Sequence, residues 1–233
     1  MNKKNRNKKD KKNKSDYSNK FSVQDSLKEK KGEVDIKSKL YSKSSKNLCI
    51  DQAIKFHQEG KINEAIKHYK NIINSGFADH RIYSNYGVIF RNNGKLKEAE
   101  IYYRKAIELK PNFTDAFYNL ANVLKDLGKR KEAELTYRKA IELKPDFANA
   151  HLNLGIILKD IGNLKDSELS YRKALELNPY CAVTLSNLAN ILRDFGRFKE
   201  AELYIRKAIK INPESIIGYL NLSFVLEDQG ELQ

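Results

Sequence analysis

Glycine and proline recur at one fixed interval along this chain, and a fixed interval of this size constrains the architecture before any helix is assigned. Gly60, Gly94, Gly128, Gly162, Gly196 and Gly230 stand 34 residues apart, and the four prolines, Pro111, Pro145, Pro179 and Pro213, keep the same spacing. Complete units run 46–79, 80–113, 114–147, 148–181 and 182–215, with a partial one over 216–233. In the unit 114–147, Phe117, Leu120, Ala121 and Leu124 follow the i, i+3, i+4, i+7 spacing of one helical face. The second half carries Ala133, Tyr137 and Ala140, which recur as Ala99, Tyr103 and Ala106 and as Ser167, Tyr171 and Ala174. Each unit therefore predicts two helices of about 14 residues. The glycine supplies the left-handed residue that ends helix A, and the proline stops helix B by pushing its predecessor out of the α region. Small residues on helix A (Gly87, Ala121, Gly155, Ala189) let the pair approach closely. Neither helix buries its apolar face alone, so the units must stack into an all-α solenoid.

Charge separates this body from what precedes it. The chain of 233 residues has a formal charge of +14, but residues 1–46 hold 16 bases against six acids, which leaves 28 and 24 for the rest. Residues 1–45 read as a disordered basic tail, too poor in apolar side chains to offset chain entropy, and residues 46–233 as the solenoid. Such a tail offers contact to nucleic acid or an anionic surface. No aromatic residue interleaves its lysine-rich start, however, so simple solvation is the preferred reading. No segment has the apolar length of a membrane span or the core of a signal peptide, and the expected compartment is the cytoplasm. Cys49 and Cys181 lack a CxxC or Cys/His neighbourhood and read as small apolar helix residues.

Catalytic constellations are missing from the pattern. Gly60-Lys61, Gly94-Lys95 and Gly128-Lys129 resemble ends of a phosphate loop, but Lys55, Ile89 and Val123 stand where its first glycine belongs. The histidines, His57, His68, His80 and His151, occupy unrelated registers, so no catalytic group, metal or cofactor is expected. Glu100, Glu134, Glu168 and Glu202 each precede an arginine by four residues, the spacing of surface helix pairs. They should also neutralise the Arg-Lys doublets beginning at Arg104, Arg138, Arg172 and Arg206.

Strings such as Phe117-Tyr118-Asn119-Leu120-Ala121-Asn122 and the run from Lys131 to Pro145 resemble tetratricopeptide repeats, over residues 46–233. The resemblance implies a right-handed α-α superhelix whose helices A line a concave groove that receives a protein or peptide. In that groove Asn85, Asn119, Asn153, Asn187 and Asn221 take the sixth place of every unit after the first, which has Asp51. An amide presents one acceptor and two donors, so such a row can grip an extended backbone. It resembles the asparagine ladder of O-linked N-acetylglucosamine transferases; local hydrogen bonding is the competing explanation. Asn122 and Asn190 lie one turn on, followed by Arg91, Lys125, Lys159 and Arg193, whose bland role is to complement the helix dipole. The expected function is a non-catalytic scaffold for an extended peptide. The alternative is a substrate-recognition arm of a larger transferase, since Tyr219, Leu222, Val225 and Leu226 lack a following helix B and suggest a fragment.

Overall fold

The computed structural model describes residues 43–230. Residues 1–42 and 231–233, which include most of the expected basic tail and the last residues of the partial unit, lie outside the described residues. Helices A are α1 (Lys43–Gln58), α3 (His80–Asn92), α5 (Thr114–Asp126), α7 (Ala148–Asp160), α9 (Ala182–Asp194) and α11 (Ile216–Asp228). Helices B are α2 (Ile62–Asn74), α4 (Leu96–Leu109), α6 (Arg130–Leu143), α8 (Leu164–Leu177) and α10 (Phe198–Ile211). No strand occurs among the described residues.

Each A-to-B turn is closed by the same pair of bonds. At Gly94, φ is +72°, a conformation in which a β-carbon would be strained. The Gly94 N–H donates to the Arg91 carbonyl and the Lys95 N–H to that of Phe90, the double bond of a Schellman cap. The pattern repeats at Gly128, Gly162 and Gly196. Helices B end differently, on an extended residue before the turn, as in Lys110 (φ −142°, ψ 89°) and Lys144 (φ −143°, ψ 88°). The first unit has Phe77 where the others have proline, and it ends α2 with a second Schellman cap at Gly76, φ +78°.

Between the helices of one hairpin sits an aromatic ring. Tyr69, Tyr103, Tyr137 and Tyr171 are almost wholly buried, and Ile205 takes their place in α10. A β-carbon built on Gly87 would stand 2.9 Å from the Tyr103 ring, and one on Gly155 only 2.6 Å from that of Tyr171. Glycine here is a matter of space. Ala65, Ala99, Ala133 and Ala201, all fully buried, complete the close face of helix B. Successive helices A touch one another more closely than successive helices B do. Layer A therefore follows the shorter arc of the stack and layer B the longer.

The two cysteines are free thiols, but neither fills a core place: Cys49 is exposed and Cys181 is the residue that caps the start of α9. Cys49 is thus on a helix, α1, as expected but outside its core, and Cys181 stands one residue before a helix instead of within it.

Candidate functional site

The sixth-place asparagines form a row along layer A, and all five are partly buried. Asn153 turns its amide nitrogen inward, donating to the Tyr118 hydroxyl at 3.1 Å and to Asn122 Oδ1 at 3.0 Å. Asn122 Oδ1 also accepts from the Tyr137 hydroxyl at 2.6 Å. Asn122 is only 5 % exposed, so it is a packing residue, where the sequence had placed it in the groove lining. The four side chains join α5, α6 and α7 across a unit boundary, and a network satisfied at every buried atom fixes the register of stacking. Asn85 has a similar local role: burial pushes Tyr69 up to about 12, and the Asn85 amide beside it acts in the opposite direction.

The remaining amides are available. Asn119, Asn187, Asn190 and Asn221 have no hydrogen bond of their side chains among the described residues. Asn153 keeps its carbonyl oxygen. Local bonding therefore accounts for part of the row and leaves a part that it does not explain.

The basic residues of the next row divide likewise. Arg91 binds Asp126 of the following unit at 3.1 Å, and Arg193 lies 3.6 Å from Asp228 and over the Phe224 ring. Both are committed to joining units. Lys125 and Lys159 hold the same place with a shorter reach and form no ion pair among the described residues. Asp51, in place of the first asparagine, binds Arg81 of α3 at 3.0 Å and closes that end of the row.

Toward α11 the same surface becomes apolar. Val183 is 59 % exposed and Ile217, one unit further on, 69 %. The sequence reading passed over these two positions because it followed the invariant sixth place and not the variable second one. On the other layer, all four Glu–Arg pairs expected on helices B are present, and Arg172 also reaches Glu200 of the next unit at 2.6 Å. The Arg-Lys doublets are thereby neutralised at arginine.

No group of acids, histidines and cysteines among the described residues could hold a metal ion. The histidines each have a separate local contact: His57 with the Tyr69 hydroxyl, His68 against Phe56, His80 against Phe113, and His151 with the Pro145 carbonyl. Among the described residues no helix is long and apolar enough to cross a membrane.

Stacked helical hairpins with a glycine-capped first helix, an aromatic wedge and a lined inner layer define an α-solenoid repeat protein. Models described as "TPR repeat" or "Tetratricopeptide repeat" match residues 80–113, 102–134, 121–162 and 146–214. The chain belongs to the tetratricopeptide repeat family. No curated protein matches it in sequence. Among solved structures it resembles YrrB, described as a TPR protein with an unusual peptide-binding site (22 % identity, TM-score 0.65, covering 74 % of this chain and 89 % of that one). It also resembles MamA (24 %, 0.62, 65 % and 83 %) and pilF of Pseudomonas aeruginosa (19 %, 0.67, 80 % and 86 %). At these identities the likeness is one of fold.

Proposed function

We propose that this chain is a protein-interaction scaffold whose inner layer holds an extended peptide, with no chemistry of its own. The observation that carries the reading is the set of uncommitted, solvent-reaching amides, Asn119, Asn187, Asn190 and Asn221, in a row whose other two asparagines are bound locally. These amide atoms reach solvent, since no buried side-chain polar atom lacks a partner, and each offers one acceptor and two donors to a peptide N–H or C=O. Lys125 and Lys159 lie in the same stretch and add two cations that no acid in the described residues neutralises. The fold shared with YrrB is consistent with a peptide ligand.

The test uses peptides selected from a random library against the whole chain. Asn119→Ala with Asn187→Ala should weaken the selected peptides by about tenfold, since each lost amide bond is worth roughly 0.5 to 1.5 kcal/mol. Circular dichroism should show the same helicity. Unchanged affinity in the double variant dismisses the amide grip.

A further inference from the structure

The outer layer carries a second regular row, independent of the groove. Ile101, Leu135, Leu169 and Leu203 stand 34 residues apart on α4, α6, α8 and α10 and are 43 %, 68 %, 66 % and 52 % exposed. Isolated surface leucines need no explanation, but a row kept through four units of a stack is a contiguous apolar feature. Two rows of lysine border it, four residues before (Lys97, Lys131, Lys165, Lys199) and four after (Lys105, Lys139, Lys173, Lys207). In the second row Lys105, Lys139 and Lys173 are paired with Glu108, Glu142 and Glu176 of their own helices. The first row is exposed and forms no ion pair among the described residues, so α4, α6, α8 and α10 each present at least one ammonium outside an ion pair. Between α6 and α8, where helices B diverge, a cleft of about 400 Å³ opens beside Leu169, with Ile141 and Leu154 in its lining.

We infer that this outer face docks an acidic amphipathic helix of a partner protein, laid across helices B along the leucine row. The dimensions favour a helix. The lysine rows are eight residues apart, which is about 12 Å along helix B, the diameter of one helix with its side chains. Helices B diverge and so stand at or beyond the about 10 Å upper limit of directly packed helices, and a partner rising about 1.5 Å per residue meets successive leucines no more often than about every seventh residue, an interval that keeps its leucines on one face. Acidic residues on one side of its apolar stripe would then face the unpaired Lys97, Lys131, Lys165 and Lys199, and the cleft takes one large side chain. An anionic membrane fits less well, because Glu108, Glu142 and Glu176 would be pressed against lipid phosphate together with the lysines.

The probe is a synthetic helical peptide with leucine at every seventh position and glutamate on one flank. A scrambled peptide of the same composition controls for general attraction to the basic chain. Titrated against the full 233-residue chain by fluorescence anisotropy at about 0.15 M salt, the amphipathic peptide should bind at least about tenfold tighter than the scrambled one. Leu135→Ser with Leu169→Ser should remove that difference, as should Lys131→Glu with Lys165→Glu. Asn119→Ala with Asn187→Ala should leave it intact. Equal binding of the two peptides overturns the inference, as does a difference that survives the leucine variant. So does binding to phosphatidylserine vesicles that the leucine variant abolishes when the amphipathic peptide shows no preference.

Discussion

Two asparagines one turn apart on α5 illustrate how identical side chains acquire different roles. The Asn119 side chain has no hydrogen bond among the described residues, whereas Asn122 is buried and its Oδ1 takes two, from Tyr137 and Asn153. Asn122→Ala leaves a buried hydroxyl and an amide without their acceptor, and should cost about 1–3 kcal/mol of unfolding free energy. Asn119→Ala should change stability by no more than about 0.5 kcal/mol. Urea denaturation of the two single variants measures the contrast, and equal losses would contradict the assignment. The sequence showed both residues but not the difference, because burial at the ninth place depends on which side chain the neighbouring unit brings to it.

Elements here are defined by what stops them and by what they press against. The A-to-B turns were legible from the periodic glycine, since a left-handed residue before an inserted hydrogen-bonded turn is a local requirement. The stop of α2 was less so: Phe77 concealed the capping role of Gly76, which lies off the periodic register. Contact between helices gives glycine a second use. At Gly155 the Tyr171 ring occupies the space of a β-carbon, at 2.6 Å, and the ring is itself buried, so a β-carbon there would force it to shift within the core. Gly155→Ala should therefore destabilise by about 1–3 kcal/mol through overpacking, even though alanine is the better helix former. A thermal melt in which the variant equals or exceeds the wild type would refute that packing argument.

For the whole molecule, ion pairs link helices B of successive units from α4 to α10 and give the stack part of its acid response. Glu200 is held below the usual carboxylate range by its hydrogen bond from Arg172. Glu100 is pushed up by burial, yet Lys129 and Arg104 together hold it low. Both folded values lie below the unfolded one, so their contribution is present above the unfolded carboxylate range, near 4.3, and is lost as pH falls through the folded values. Burial holds His57 and His80 below the ordinary imidazole value, so the folded chain resists their protonation and the urea midpoint should fall modestly as pH drops from about 7 to 5.5, and more steeply below about 4.3 as the carboxylates titrate. Glu100→Gln should show a shallower decline, and an identical slope would remove Glu100 from the account.

The sequence by itself determined the unit, its two helices, the positions of the turns and the need to stack. All of these follow from local backbone preference and from apolar faces that recur every 34 residues. It also placed the asparagine row on the inner helices. Only the tertiary structure decided which of those amides are already bound, which cations are paired across units and which leucines stay outside. Those outcomes depend on side chains from adjacent units meeting at distances of a few ångströms, and a chance of reach, arginine against lysine at one place, separates Arg91 from Lys125. A period records that neighbours exist; it does not record what each neighbour uses up.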